Sequence, residues 1–214
     1  GVVAPDLPAD LELVDRWTVA AEAEGCAFLL VANKADLPGF DTFLERLAPW
    51  RRLGYALQPL SAKRDPGPLL ARLRGEHAVL VGQSGMGKST IINAVAPDAA
   101  ARVGEVSAAL ATGRHTTTET TLHPIPGDPR GGWIVDSPGM RVFGLGHLAP
   151  EAIPAAFVDI RPHLGHCRFR DCRHDREPGC AVQEASARGE IAPHRIALMH
   201  AMITESKAVR RPGS

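Results

Sequence analysis

A chain of 214 residues, 44% hydrophobic and 22% charged, can bury one large core, or one medium and one small. That balance excludes a disordered polymer, and no apolar run approaches the roughly 18 residues that cross a bilayer. The formal net charge of zero hides a split: residues 161–214 carry ten Lys and Arg against six acidic residues, so the basic surface lies at the C-terminal end.

The start, "GVVAPDLPAD", lacks the basic-then-apolar layout of a signal peptide, and a first residue of Gly1 rather than Met reads as a fragment or a trimmed chain. A soluble cytoplasmic protein is expected, with no membrane partner. In chain order, "LELVDRWTVAAEAEG" has helical spacing and "CAFLLVANK" reads as a buried strand. "DTFLERLAPWRRLG" then places Phe43, Leu47 and Trp50 on one helical face. "YALQPLSA" predicts a strand, "GPLLARLRG" a short helix, "HAVLVGQSG" a strand and "KSTIINAVA" a helix. "TLHPIPG" and "GGWIVDSPG" are further strands, and "EIAPHRIALMHAMITESKA" is a helical tail. Strands alternating with helices predict an α/β fold, a mostly parallel sheet of P-loop NTPase type covered on both faces. The strand signal stops near residue 148, which predicts domains at 1–147 and 148–214.

Gly82-Gln83-Ser84-Gly85-Met86-Gly87-Lys88-Ser89-Thr90 fits the phosphate-loop pattern and lies between a predicted strand and helix, as the mechanism requires. The glycines let backbone N–H groups wrap phosphates, Lys88 bridges the outer phosphates, and the Ser89 hydroxyl is placed to ligate Mg²⁺. "NKADL" supplies a base reader. Asn33-Lys34-Ala35-Asp36 follows a predicted strand, and an Asp can accept from both the ring N–H and the exocyclic amine of guanine, a donor pair adenine lacks. Ser61-Ala62-Lys63 ends the next strand and resembles the second guanine-contacting loop of GTPases.

"DSPG" places Asp136 to hold Mg²⁺ through water and the Gly139 N–H to meet a γ-phosphate. "GRHTTT", residues 113–118, reads as a first switch loop. All five GTPase elements are therefore present, with the base-reading pair ahead of the phosphate loop (G4-G5-G1-G2-G3). That is the usual order cut after the second switch and rejoined: a circular permutation. Cys167-x₄-Cys172-x-His174-x₅-Cys180 offers three thiols and an imidazole, the donors of a closed tetrahedral zinc site in a small helical C-terminal domain. Disulfide pairing would leave one of the three thiols over. Four protein ligands make one Zn²⁺ per chain structural.

Together "NKADL", "GQSGMGKST", "GRHTTT", "DSPGMR" with "FGLGHL", and "CRFRDCRHDREPGC" resemble the circularly permuted ribosome small-subunit biogenesis GTPases, the RsgA (YjeQ, EngC) family. The resemblance runs over nearly the whole chain. It implies a GTPase using GTP/GDP and Mg²⁺ that binds the small ribosomal subunit and its rRNA late in maturation, is stimulated by it, and leaves on hydrolysis. It also implies an N-terminal OB-fold domain, which is not expected within these 214 residues. Met140 stands where many GTPases use Gln to orient water, so His115 is expected to position the water and Thr117, or failing that Thr118, to complete the Mg²⁺ shell. A monomer is expected. The competing reading is a GTP-dependent RNA-binding scaffold with negligible catalysis.

Overall fold

The computed structural model describes residues 1–97, 121–136 and 148–210. The described residues fall into two compact units. The first comprises Gly1–Asp10 with the described part of Leu29–Arg141, and the second Leu11–Phe28 with the described part of Val142–Ser214.

Among the described residues, the first unit is built on six short strands, three of them followed by helices of the same unit. β1 (Val2–Val3), β2 (Leu29–Ala32) and β3 (Ala56–Pro59) run parallel in the order β1-β2-β3. β4 (His77–Leu80) pairs parallel with β6 (Trp133–Asp136), whose other edge takes β5 (Thr121–Pro124) antiparallel, giving β4-β6-β5. A backbone bond from Val2 N to Val81 O, 2.8 Å, joins the two sheets edge to edge. β1 was invisible to periodicity because two residues make no pattern, yet it is the strand through which the sheets meet.

Helices α2 (Phe40–Arg46), α3 (Ala48–Arg52), α4 (Gly67–Leu73) and α5 (Lys88–Val95) fill the connections. The single helix expected over 41–54 is two: Pro49 lacks an amide hydrogen and is tolerated only in a first helical turn, so the chain restarts there. Apolar residues spaced for one helical face, Ile91, Ile92 and Val95 of α5 and Leu69 and Leu73 of α4, meet Val2, Val31, Leu80 and Ile134 from the sheets in one core. Burying each such side chain contributes about 1.5–3 kcal/mol, so this core holds the strand ends in register.

The second unit gathers α1 (Leu11–Ala23), two 3₁₀ turns (Pro154–Ala156 and Arg161–His163), α6 (Ala181–Ala187) and α7 (Pro193–Arg210). Its core joins Val19 and Ala20 of α1 to Phe157, Ile160, Ile191, Met199 and Met202. Here the division departs from the expected break between 147 and 148, because α1 groups with the C-terminal residues. Three ion pairs add to the apolar contact: Arg195 to Asp15 (2.7 Å), Arg16 to Glu205 (2.8 Å) and Arg161 to Glu22 (2.6 Å). Arg195 and Asp15 are each only 4% exposed, and Arg195 also forks onto Asp159 at 2.6 and 2.9 Å. Bidentate geometry is what lets a buried guanidinium recover its desolvation cost. Among the described residues no helix is long and apolar enough to cross a membrane.

Candidate functional site

Parallel strands put their C-terminal ends on one edge, where open α/β sheets take ligands. β2 ends into Asn33–Asp36, β3 into Ser61–Lys63, and β4 into the phosphate loop. Asp136 closes β6 opposite Leu80 of β4, so the chain delivers it beside the start of that loop.

Asn33 is the joint between the motifs. Its side chain is buried, donates from Nδ2 to Met86 O (3.1 Å) in the phosphate loop, and accepts at Oδ1 from the Ala62 amide (3.1 Å) in the second base loop. Lys34 adds a second tie, Nζ donating to Gly85 O at 2.8 Å and pairing with Asp6 at 2.6 Å. The Ala35 amide bonds Leu60 O. Asp36 accepts from the Ser61 hydroxyl at 2.6 Å, and that bond, helped by Arg64 and Lys63, holds its carboxyl below the usual carboxylate range. It therefore stays ionised, the state that accepts two guanine donors.

Gly87 shows why the loop needs its glycines. Its φ is +95°, and a Cβ there would lie 2.3 Å from Asn33 Nδ2, so a side chain would break the joint. Gly87 caps α5, whose N-terminal amides face the site. Lys88 Nζ lies across the mouth of the loop, donating to Gly82 O (2.6 Å) and Gln83 O (3.0 Å). Gln83 Oε1 accepts from the Asp10 amide (3.1 Å), Ser84, Gly85 and Ser89 are exposed around the rim, and the Met86 side chain is buried in the core. Only the backbone of Met86 can face a ligand. One pocket is lined by Asp6, Asn33, Lys34, Asp36, Leu37, Ala62, Lys63, Gly87 and Thr90, so the base-reading and phosphate motifs share a cavity. His115, Thr117, Thr118 and Gly139 lie outside the described residues, and Asp136 is placed by its backbone alone. Sequence reasoning missed Asp6, since "APDLP" carries no motif that would have found it, and gave no role to Leu37 at the end of "NKADL".

In the second unit the side chains of Cys167, Cys172, His174 and Cys180 bring their donor atoms within 4.8 Å of one another. Cys167 and Cys180 Sγ each lie 3.5 Å from His174 Nδ1, and 4.0 Å from each other. A tetrahedron with metal–sulfur and metal–nitrogen bonds near zinc's has edges of about 3.8 and about 3.6 Å, so these separations fit one ion. All four cysteines are free thiols, which excludes a disulfide among these residues. Burial pushes the Cys172 thiol up to about 12 and the His174 imidazole down. The neutral imidazole is ready to ligate, whereas the thiol must surrender its proton to the metal. The frame is rigid: His174 O accepts from Gln183 Nε2 at 2.7 Å, and Glu177 receives the Arg173 and Asp175 amides at 2.8 and 2.9 Å. Lys34 and His174 are the two non-glycine residues with positive φ among those described, one in each site. Such conformations persist where the surroundings fix them, and functional sites collect them.

A parallel sheet with a phosphate loop, a guanine-type base reader ahead of it in sequence, and both in one cavity define a circularly permuted GTPase. The RsgA GTPase family model matches residues 2–146, more than half of the chain. The small ribosomal subunit biogenesis GTPase RsgA of Nitrosospira multiformis is 46% identical over 214 residues, covering 100% of this chain and 67% of that protein. The protein of the same name from Azotobacter vinelandii is 47% identical over 204 residues, 92% of this chain and 58% of that one. Among solved structures, YloQ, described as a circularly permuted GTPase, superposes with a TM-score of 0.71 at 27% identity, covering 100% of this chain and 68% of its own. YjeQ from Thermotoga maritima gives 0.70 at 28%, covering 96% and 69%. The chain belongs to the RsgA GTPase family. It spans about two thirds or less of the length of the curated relatives it matches.

Proposed function

We propose that this chain binds GTP with Mg²⁺ and hydrolyses it during late maturation of the small ribosomal subunit, stimulated by the subunit and its rRNA and leaving once GDP is formed. The observation that carries the reading is the hydrogen-bonded joint of Asn33 and Lys34 to Met86 and Gly85, with Asp36 held ionised by Ser61. It makes base choice and phosphate grip one rigid object, as a GTP-specific site needs. The names of the relatives support the subunit assignment.

In this reading Asp36 takes the guanine donors, and the Ser61–Lys63 loop covers the base. The loop amides and Lys88 hold the phosphates. Ser89, Thr117 and, through water, Asp136 hold Mg²⁺, which neutralises charge developing on the transferred phosphoryl group. The Gly139 amide meets the γ-phosphate, and His115 positions the attacking water, since the Met140 thioether cannot. The Cys167, Cys172, His174 and Cys180 cluster holds one structural Zn²⁺, checked by metal stoichiometry of the purified chain. The chain acts as a cytoplasmic monomer.

The test is single-turnover hydrolysis titrated with small ribosomal subunits, with GTP competed against ATP. Guanine preference and subunit stimulation that disappears in His115→Ala, with GTP affinity spared, are expected. ATP competing equally would overturn the base assignment. Subunit binding without any accelerated hydrolysis would make the protein a GTP-dependent scaffold instead.

A further inference from the structure

The segment between β1 and α1 is held against the phosphate loop at two points, Leu7 and Asp10. Its Asp10 amide donates to Gln83 Oε1 at 3.1 Å, and a Cβ on Gly85 would lie 2.5 Å from Leu7 Cδ1, so the segment lies directly on the phosphate loop. Just before Leu7, Asp6 lines the cavity and pairs through Oδ2 with Lys34 Nζ at 2.6 Å. Oδ1 is a second acceptor on a side chain 39% exposed.

A carboxylate in a cavity for a polyanion needs a reason. Lys34 offsets its charge, which removes the electrostatic objection but gives no role for the second oxygen. A guanine nucleotide presents few donors. The base N–H groups belong to Asp36, and the phosphates, which at neutral pH only accept, belong with the phosphate-loop residues Gly87 and Thr90 of the same cavity. The remaining donors are the ribose hydroxyls, which must lie between base and phosphates. Carboxylates read ribose hydroxyls in dinucleotide-binding folds for the same reason. We propose that Asp6 is a specificity-determining residue, held by Lys34 through one oxygen and accepting a ribose hydroxyl of the nucleotide through the other. The proposal rests on the guanine-nucleotide reading of this cavity.

The test measures affinities of the full chain for unlabelled GDP, 2′-deoxy-GDP and 3′-deoxy-GDP by calorimetry, in the natural sequence, Asp6→Ala and Asp6→Asn. A hydrogen bond to a charged acceptor corresponds to about tenfold or more in affinity, so the natural sequence is expected to bind one or both deoxy analogues about tenfold more weakly than GDP. Asp6→Ala is expected to bind all three within about twofold, at the analogues' level. Asp6→Asn, which keeps an acceptor oxygen, is expected to restore part of the discrimination, and a misfolded loop would not. Equal discrimination in the natural sequence and Asp6→Ala would overturn the proposal. So would a uniform loss for all three nucleotides, which would reduce Asp6 to a tether for Lys34. No GDP binding by the natural sequence would instead overturn the nucleotide reading, and this proposal with it.

Discussion

Asn33→Asp changes one NH₂ group into an oxygen at the joint between base reader and phosphate loop, and its effect can be worked through. The residue is 2% exposed. The new carboxyl still accepts from the Ala62 amide, but its second oxygen faces Met86 O at the 3.1 Å where an N–H now donates. Protonation restores a donor, so the folded state favours the neutral acid. Burial raises carboxyl pKa values by up to about 3–5 units; with the Ala62 bond retained, a rise of about 2.5 from about 4 is reasonable. The folded state then binds more protons than the unfolded state between pH about 4 and about 6.5, and stability falls as pH rises through that window. Of a total near 3.4 kcal/mol, about 1.4 is lost by pH 5 and about 2 more by pH 8. Urea unfolding followed by tryptophan fluorescence measures this. A Trp17→Phe background leaves Trp50 and Trp133, both in the first unit, as reporters. Asn33→Ala is the control: two lost partners at about 1–3 kcal/mol each, independent of pH. An Asn33→Asp penalty equal at pH 5 and pH 8, or under about 1 kcal/mol, would refute the reasoning.

Asp36→Asn is expected to exchange guanine for xanthine preference, because an amide presents a donor where xanthine has a carbonyl; retained guanine binding in a competition assay counts against the assignment. Arg195→Ala strands the buried carboxylates of Asp15 and Asp159 and is expected to destabilise the second unit by about 3–5 kcal/mol in denaturant unfolding, an effect under about 1 kcal/mol being the contrary result. Glu177 titrates at about 2, held down first by the Arg173 amide. A depressed folded pKa gives stability that is present above its unfolded value near 4.5 and lost as pH falls toward 2. Glu177→Gln should therefore flatten the acid limb of the second unit's stability curve between those values, and an unchanged limb would contradict the linkage.

The placement of the nucleotide motifs was legible because they sit where strands end, and four-residue strands of the type "LLVA" announce their ends clearly. The phosphate loop, the base reader and the Cys₃His spacing needed only sequence separation to be recognised, and the cavity and donor cluster bring each set together. What escaped depends on partners distant in sequence. Amphipathic spacing marks the buried face of α1, with Leu13, Val14, Trp17 and Ala20, but it does not say which core receives that face. Asp15 reads as an exposed helical acid until Arg195, 180 residues on, is beside it. Asp6 is silent for the same reason, since Lys34 gives it meaning.

That placement of α1 has a consequence for how the protein is made. The chain enters the second unit at Leu11, leaves it after Phe28, and returns only near its C-terminal third. Synthesis proceeds from the N-terminus at about 5–20 residues per second. The apolar face of α1 therefore emerges some 125 residues ahead of Leu148, the earliest described partner in its core, and waits roughly 6–25 seconds at that rate. During that interval the first unit can assemble around β1 and β2 on either side of the waiting helix. The nucleotide site is thus able to form before the module at the other end of the chain, and a nascent chain stalled after Asp136 should already contain the joint that Asn33 makes.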